Sequence, residues 1–211
     1  PEMILQTSDS GYLILGKTDG WQRGVSLSEA DASFCGDVGN GLAGYSVDGV
    51  GDVNGDAIPD FVIGARGAKE VYLMFGRRNV NWGTNFNLNN ADVTFYSSQW
   101  NDWTGWRSAG AGDVNGDGLN DILIGAPMYN QDGGDAGKVF LVFGRRSGWN
   151  GNLDEADASF YGEAYNDQAG WDVQGAGDVN GDGYDDFVIG AWYNDQNGAD
   201  AGKMYLIKGK T

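Results

Sequence analysis

Short apolar runs separated by glycine and polar clusters are the main pattern along this chain. A typical run is Phe61–Ala65, and its counterparts are four to six residues long, bounded by glycine and rich in Val, Ile, Phe and Tyr. Runs of this length and composition predict β-strands, whereas helices would need longer stretches with a 3.6-residue period, which the sequence lacks. The pattern therefore predicts an all-β fold.

The pattern occurs in three copies. The sequence Gly-Asp-Val-Asn-Gly-Asp begins at residues 51, 112 and 177, with steps of 61 and 65 residues. An Ala-Asp-x-x-Phe motif recurs with it, at 30–34, 91–95 and 156–160. A repeat of this length is too long for ankyrin or leucine-rich units, and it predicts supersecondary units that stack on one another.

Each unit is predicted to be a four-stranded antiparallel sheet. In the first unit the strands are expected near Gly44–Val50, Asp60–Gly64, Val71–Gly76 and Val93–Tyr96. The third-strand pattern occurs once more upstream, at Tyr12–Lys17. Four strands per unit is the architecture of a β-propeller blade, so the predicted fold is a set of propeller blades.

We predict a single propeller-type domain over residues 1–211, made of four segments. They are the third and fourth strands of a split blade at 1–36, unit one at 37–97, unit two at 98–162, and unit three, lacking its outer strand, at 163–211. Ala32–Cys35 is a candidate for that missing strand. Propellers typically have about 4 to 8 blades. Three units therefore predict part of a larger propeller, or a protomer that a second copy completes, since exposed strand edges invite pairing.

The loop between the first and second strands of each unit is the main candidate functional site. Side-chain oxygens occupy loop positions 1, 3, 5 and 9, and the position-7 residue can offer its carbonyl. Such hard oxygen ligands around a glycine turn suit Ca²⁺, whereas Mg²⁺ usually keeps more water. The predicted ligands are Asp52, Asn54, Asp56, Ile58 and Asp60; Asp113, Asn115, Asp117, Leu119 and Asp121; and Asp178, Asn180, Asp182, Tyr184 and Asp186.

Two alternatives for these loops are less consistent with the sequence. An EF-hand needs a glutamate at position 12 and flanking helices, and position 12 is Ile63, Ile124 or Ile189 inside a strand run. Asp, Asn and Gly also form ordinary turns, but three copies with four oxygens in register argue against that explanation. We therefore expect about three Ca²⁺ ions, one in each loop.

The first loop departs from the other two. Ala57 replaces the glycine at position 6, and Pro59 stiffens position 8. If position 6 requires a positive φ, alanine there costs about 1 kcal/mol. The loop at 52–60 is therefore predicted to be the weakest of the three metal sites.

Composition narrows the classes of function. The 211 residues carry 13 Lys+Arg and 30 Asp+Glu, a net charge of −17 that disfavours nucleic acid and anionic membranes as partners. No apolar run is long enough to insert in a membrane. Histidine is absent, which removes imidazole bases and histidine metal sites. The single cysteine, Cys35, allows no intrachain disulfide and is expected to be a small buried filler.

The units resemble FG-GAP repeats, the units of the integrin alpha-subunit β-propeller. The match is clearest at 112–121 followed by Gly125-Ala126-Pro127, while the other copies read Gly64-Ala65-Arg66 and Gly190-Ala191-Trp192. The resemblance implies Ca²⁺ bound by the loops on one face of the propeller. It also implies a protein or glycan ligand on the opposite face, and an extracellular or cell-surface module, secreted or displayed, for adhesion.

Loops predicted on that opposite face are candidates for ligand contact. Their aromatic rings and their Asn, Asp and Gln side chains could stack on sugar rings and bond hydroxyl groups, or anchor a protein. Turn formation and wedging between blades is the alternative. The loops are Trp100–Trp103, Tyr129–Asp132, Tyr165–Gln168 and Trp192–Asp195.

Two other recurring sets are expected to be structural. Aromatic residues begin the first strand of each unit and should pack between blades, and arginine pairs follow two of the third strands and should bind surplus carboxylates, with partner contacts as the alternative. The sets are Tyr45, Trp106 and Trp171, and Arg77-Arg78 and Arg145-Arg146.

The predicted function is a non-catalytic, calcium-binding recognition or adhesion module. Acidic residues in register fall in the metal loops, where a coordinated carboxylate cannot easily serve as an acid or a base, so a glycosidase pair is disfavoured. The alternative is a calcium-dependent lectin, or an accessory module of a polysaccharide-degrading enzyme.

Overall fold

The computed structural model describes residues 10–13, 26–130 and 134–211. In them, strands connected by turns and single-turn 3₁₀ helices form four sheets, and no helix has the length and apolar character needed to cross a bilayer. The strands are β1 Ser10–Leu13, β2 Ala32–Cys35, β3 Ala43–Gly51, β4 Asp60–Ala65, β5 Glu70–Met74, β6 Phe86–Asn87, β7 Val93–Tyr96, β8 Arg107–Gly112, β9 Asp121–Ala126, β10 Lys138–Val142, β11 Ala158–Tyr161, β12 Ala169–Gly177, β13 Asp186–Ala191 and β14 Lys203–Ile207. The 3₁₀ helices are Leu27–Glu29, Leu88–Asn90 and Leu153–Glu155. The all-β prediction is confirmed.

Each repeated unit is a separate antiparallel sheet. Unit one has the order β3-β4-β5-β7, unit two β8-β9-β10-β11 and unit three β12-β13-β14. In the fourth sheet, β1 pairs antiparallel with β2, and β2 pairs in parallel with the short β6. Neighbouring strands within each unit follow one another along the chain, as in propeller blades. The described sheets do not close into a ring, which fits part of a propeller.

The segment Ala32–Cys35 does not supply the outer strand of unit three, so that suggestion is wrong. As β2 it pairs along its length with β1, with Phe34 opposite Gly11. The same register joins the third and fourth strands of unit one, where Phe95 is opposite Val71. Because one edge of β2 is bonded to β1 and the other to β6, β2 has no free edge for β14.

Some details of the elements differ from the sequence prediction. The third strand of unit one ends at Met74, because the N–H of Gly76 donates to a loop aspartate instead of the sheet. The strand predicted at Tyr12–Lys17 lies outside the described residues after Leu13. Cys35 is half-buried, not buried, and its Sγ donates to Asn85 Oδ1 at 3.5 Å. The segment boundaries given above remain predictions.

The hydrophobic core lies between neighbouring sheets. Val71 of unit one belongs to one buried cluster with Phe140 of unit two, and Val139 of unit two belongs to another with Phe187 of unit three. Phe34 of β2 lies in a third cluster, which covers the other face of unit one. Burial of apolar surface stabilises by about 25 cal/mol per Å². Packing between units therefore contributes much of the hydrophobic stabilisation.

Unit three exposes the face that units one and two bury. Met204 and Leu206 occupy the sheet positions that Val139 and Leu141 occupy in unit two. Met204 and Leu206 are 64% and 47% exposed, whereas Val139 and Leu141 are 0% and 4% exposed. Within the described part of the chain, β14 has no strand on its outer edge. This face has the character of an inter-unit surface without its neighbour.

Candidate metal centres

Each candidate loop is a tight turn whose aspartates accept hydrogen bonds from the loop's own backbone. The three loops join the first and second strands of their units: loop one at 52–60, loop two at 113–121 and loop three at 178–186. Asp52 accepts the N–H groups of Gly55 and Ala57, both at 2.7 Å, and Asp56 accepts that of Ile58 at 2.8 Å. Loops two and three repeat these bonds. The aspartates at positions 1 and 5 therefore hold one common scaffold.

The position-9 aspartate has a structural role that sequence reasoning missed. Asp60 is fully buried, and its two oxygens accept N–H groups from Val53 at 2.9 Å and from Gly76 at 2.7 Å. Asp121 and Asp186 make the equivalent pair of bonds. This residue ties each loop to the end of the third strand of its unit. The glycine that recurs after each third strand, at 76, 144 and 209, is the signal that could have revealed the contact.

Burial makes the charges of the covered loops unfavourable. Burial raises the pKa of Asp60 to about 6 and the pKa of Asp121 to about 7, although two backbone N–H groups lower each pKa in part. The carboxylates at positions 1 and 5 contribute to both increases, after burial. In loop three, N–H bonds led by that of Gly183 lower the pKa of the exposed Asp178. A cation among the carboxylates would relieve their mutual repulsion.

The donor chemistry of the loops fits Ca²⁺, although the carboxylates do not already surround a common point. Among the described residues, no group of three acidic or cysteine side chains forms a ready-made metal cage. The aspartate oxygens at positions 1, 5 and 9 are instead engaged with N–H groups. Three carboxylates, an amide oxygen and a backbone carbonyl are nevertheless ligands that Ca²⁺ accepts. The complete ligand set, including the carbonyls of Ile58, Leu119 and Tyr184, remains a prediction.

The residue at position 6 has a positive φ in all three loops, as the prediction for loop one assumed. Ala57 has φ +64°, and the glycines at the same position, Gly118 and Gly183, have φ +86° and +92°. A positive φ is less favourable for alanine than for glycine by about 1 kcal/mol. Loop one therefore carries backbone strain that loops two and three avoid.

Each of the first two loops is hydrogen-bonded to the loop that follows it. The N–H of Asn120 donates to the carbonyl of Asp52 at 3.0 Å, and the N–H of Asp185 donates to the carbonyl of Asp113 at 3.0 Å. Both donors are position-8 residues. Loop one has Pro59 at this position, and proline has no N–H to donate. The loops are thus linked in a row through position 8.

The arginine pairs have two kinds of partner. The first arginine of each pair binds the aspartate of the Ala-Asp-x-x-Phe motif in its own unit. Arg146, the second of its pair, donates to the carbonyl of Gly55 in loop one at 2.9 Å. Sequence reasoning missed this contact between units. The ion pairs are Arg77 with Asp92 and Arg145 with Asp157.

Aromatic rings run from unit to unit at the ends of the inner strands opposite the loops. The ring centroids of Tyr45 and Trp106 lie 4.9 Å apart, and those of Trp106 and Trp171 lie 4.5 Å apart. Both contacts cross a junction between units. Trp171 is also stacked on Trp192 at 5.0 Å. The row therefore joins all three units, as packing between blades requires.

The predicted ligand loops combine exposed rings with buried aspartates. Trp100 is 86% exposed, and Tyr165, at the same loop position in unit three, is 78% exposed. Asp102 is buried and accepts the N–H of Thr104 at 3.0 Å, so it holds the turn. The rings are therefore accessible to a ligand, whereas the aspartate is structural. The stretch Tyr129–Asp132 extends outside the described residues from position 131.

Comparison with known proteins identifies the repeats. The family model of the FG-GAP repeat matches residues 105–142 and 169–207, in units two and three. Integrin alpha-PS2 of Drosophila melanogaster is 35% identical over 176 residues, which cover 79% of this chain and 11% of that protein. Integrin alpha-6 of Homo sapiens is 35% identical over 102 residues, 46% of this chain and 8% of that protein.

A third relative covers a similar share of the chain. Integrin alpha pat-2 of Caenorhabditis elegans is 29% identical over 181 residues, 80% of this chain and 14% of that protein. The chain spans about a tenth of the length of these integrin alpha subunits. The chain therefore carries FG-GAP repeats in units two and three and is similar to integrin alpha subunits.

Proposed function

We propose that this chain is a calcium-binding segment of an integrin-like FG-GAP propeller that serves adhesion or recognition outside the cell and is not an enzyme. The observation that carries the proposal is the common scaffold of the three loops, in which aspartates at equivalent positions make equivalent bonds. The relationship to integrin alpha subunits supports the extracellular, adhesive part of the proposal. The protein or glycan ligand is proposed to bind at the strand ends opposite the metal loops.

The proposed metal ligands are the side chains at positions 1, 3, 5 and 9 and the carbonyl at position 7 of each loop. The chemistry that Ca²⁺ supplies when bound is a divalent charge among hard oxygen ligands. The protein's part is to hold the position-1 and position-5 aspartates over the turn with backbone N–H bonds. Because the loops are also bonded to one another, relief of their repulsion would strengthen the junctions between units.

Removal of calcium tests this proposal. A ligand that binds only the folded state stabilises it by about 2.7 kcal/mol per site at a hundredfold excess over its Kd. We therefore expect excess chelator to lower the Tm strongly and added Ca²⁺ to restore it. The double variant Asp117→Asn with Asp182→Asn should respond much less, while the control Asp154→Asn, at an exposed site outside the loops, should respond fully. A Tm that chelator leaves unchanged would reject the proposal.

The exposed face of unit three is proposed to pack against another propeller unit, from a longer protein or from a second copy that completes a ring. The equivalent faces of units one and two are each covered by such a unit. A groove of about 320 Å³ on this face is lined by Val188, Trp192 and Met204, among others. Light scattering across a concentration series should show twice the chain mass if a second copy binds, and Leu206→Asp should abolish that association. A single-chain mass at every concentration would exclude the second copy.

Calcium-dependent carbohydrate binding is the second candidate function. The accessible rings of Trp100 and Tyr165 favour it, because aromatic side chains are effective anchors at binding surfaces. A glycan array probed at millimolar calcium would test it, and an array without hits would count against it. An accessory role beside a polysaccharide-degrading enzyme would use the same rings. Turnover of acidic polysaccharides by this chain, with or without calcium, would contradict the non-catalytic proposal.

A further inference from the structure

A small cavity between units one and two combines positive charge with aromatic surface. The cavity has a volume of about 140 Å³. Arg66 and Lys69 line it from the hairpin between β4 and β5, and Trp100, Asn101 and Trp103 line it from the loop before β8. It lies at the strand ends opposite the metal loops.

The positive charge of this cavity is not neutralised by the described part of the chain. In the described residues, four other basic side chains form ion pairs: those of Arg77, Arg107, Arg145 and Lys203. Neither Arg66 nor Lys69 takes part in one, although acidic residues outnumber basic ones by 30 to 13. The Nε atom of Arg66 is also buried without a hydrogen-bond partner. A buried N–H group without an acceptor is unfavourable, and neither cation has a carboxylate partner, so an anion that reaches them would be bound favourably.

The neighbouring carboxylates are committed to other groups. Glu70, next to Lys69 in the chain, accepts a hydrogen bond from the hydroxyl of Tyr72 at 2.6 Å. Asp102, next to Asn101, is buried and accepts the hydroxyl of Thr104 at 2.9 Å. Neither carboxylate forms an ion pair with Arg66 or Lys69.

Aromatic rings hold the two basic groups in place. The guanidinium carbon of Arg66 lies 4.5 Å from the ring centroid of Tyr45 and 5.1 Å from that of Trp103. Nζ of Lys69 lies 5.1 Å from the ring centroid of Trp100. Cation–π contacts fix a cation without cancelling its charge. The cavity thus presents fixed positive charge, with the ammonium group of Lys69 over one face of the exposed ring of Trp100.

The hairpin of unit one that lines this cavity is shorter than its counterparts in units two and three. It has four residues, 66–69, whereas 127–137 in unit two and 192–202 in unit three have eleven. The longer hairpin of unit two contacts the start of β12, where the N–H of Ala169 donates to the carbonyl of Ala136 at 2.9 Å. In the corresponding loop before β8, Trp100 is 86% exposed.

We propose that this cavity binds the carboxylate of an acidic sugar. Arg66 and Lys69 would form charge-assisted hydrogen bonds with the carboxylate, and the ring of Trp100 would pack against the apolar face of the sugar. The cavity is smaller than the roughly 300 to 1,000 Å³ of most ligand sites, so it suits one sugar residue better than a peptide segment. The net charge of −17 repels polyanions, which favours a single carboxylate on an otherwise neutral glycan. The inference rests on the recognition function proposed above and specifies its ligand.

Binding of matched acidic and neutral sugars tests this inference. The probes are 3′-sialyllactose against its neutral C1 carboxamide and cellobiouronic acid against cellobiose, titrated by calorimetry at saturating calcium. We expect at least one acidic sugar to bind about tenfold more tightly than its neutral counterpart, the gain of one hydrogen bond to a charged group. Equal affinities within both pairs, or no binding of either acidic sugar, would overturn the inference. Tighter binding of the peptide Gly-Glu-Gly than of either acidic sugar would also overturn it and indicate an acidic protein ligand.

Variants locate the binding in the cavity. Arg66→Gln and Trp100→Ala should each weaken acidic-sugar binding about tenfold. The matched controls Arg78→Gln, an exposed arginine elsewhere, and Tyr165→Ala, the equivalent ring in unit three, should not. Equal losses in the controls would overturn the inference. If Arg66→Gln lowers the Tm, Lys69→Gln provides the same test at the rim.

The calcium experiment keeps the two proposals separate. If calcium raises the Tm but the chain does not distinguish acidic from neutral sugars, the metal proposal stands and only this inference is overturned. A chain that binds acidic sugars at the cavity but melts independently of calcium retains the cavity and loses the metal proposal.

Discussion

Loops two and three share the six-residue sequence Asp-Val-Asn-Gly-Asp-Gly but lie in different surroundings. Unit three covers loop two, where Val114 is 3% exposed and the carbonyl of Asp113 receives an N–H from the next loop. In loop three Val179 is 53% exposed, and the described residues include no following unit. The aspartates of the two loops nevertheless accept the same backbone N–H groups. A loop's shape therefore follows from its own sequence, and its burial follows from its neighbour.

Loss of the position-9 carboxylate should give the largest difference in stability between a variant of loop two and the same variant of loop three. Asp121→Ala leaves the buried N–H groups of Val114 and Gly144 without acceptors and should lower the free energy of unfolding by about 4 kcal/mol. Asp186→Ala should cost about 2 kcal/mol, because the N–H of the exposed Val179 can bind water. Urea unfolding at saturating calcium measures both losses. Since each variant loses the same predicted metal ligand, equal losses would show that burial makes no difference.

The valine at position 2 tests how much the neighbouring unit stabilises each loop, without a change in metal binding, because it is not a predicted ligand. Val114→Ala removes methyl groups from the core between units two and three and should cost about 2 kcal/mol. Val179→Ala should change the free energy of unfolding by less than about 0.5 kcal/mol. The same denaturation measured at tenfold higher protein concentration is the control for association. A large loss for Val179→Ala at low concentration would contradict the comparison.

Loop one differs from loop two in sequence, although both are covered by the following unit. Exchanging their position-6 residues therefore tests the effect of sequence alone, and we expect it to change the free energy of unfolding least. Ala57→Gly should raise the free energy of unfolding by about 1 kcal/mol, because it relieves the positive φ. Gly118→Ala in loop two is the reverse exchange and should lower it by about 1 kcal/mol. No atom lies within 4 Å of the position that a Cβ would take at Gly118, so the backbone alone is tested. Thermal melts of both variants measure the effect, and a destabilising Ala57→Gly would exclude strain at this position.

Much of the fold could be predicted because each strand carries its own signal. The run Val93–Tyr96, for example, is bounded as predicted. The third and fourth strands predicted at 1–36 already place β2 beside β1, but the pairing of β2 with β6 could not be predicted, because alternation of apolar residues identifies a strand but not its partner. The two-residue β6 is too short to produce any pattern at all.

The candidate sites were predictable to a similar extent. The positive φ at Ala57 followed from the glycines at the equivalent position, since the three loops can be aligned residue by residue. The contact of Arg146 with Gly55 and the cavity around Arg66 depend on which units adjoin and on the length of one hairpin. These are relations between distant parts of the chain, and a local pattern does not contain them.

Proline at position 8 of loop one gives the row of loops a polarity. The N–H groups of Asn120 and Asp185 each donate a hydrogen bond to the loop before their own. Pro59 has no N–H to donate, so this series of backbone hydrogen bonds begins at unit one, and each bond runs from a loop to the loop before it. A unit placed ahead of unit one would therefore have to be held by other contacts, as the pairing of β2 with β6 holds the sheet that precedes unit one.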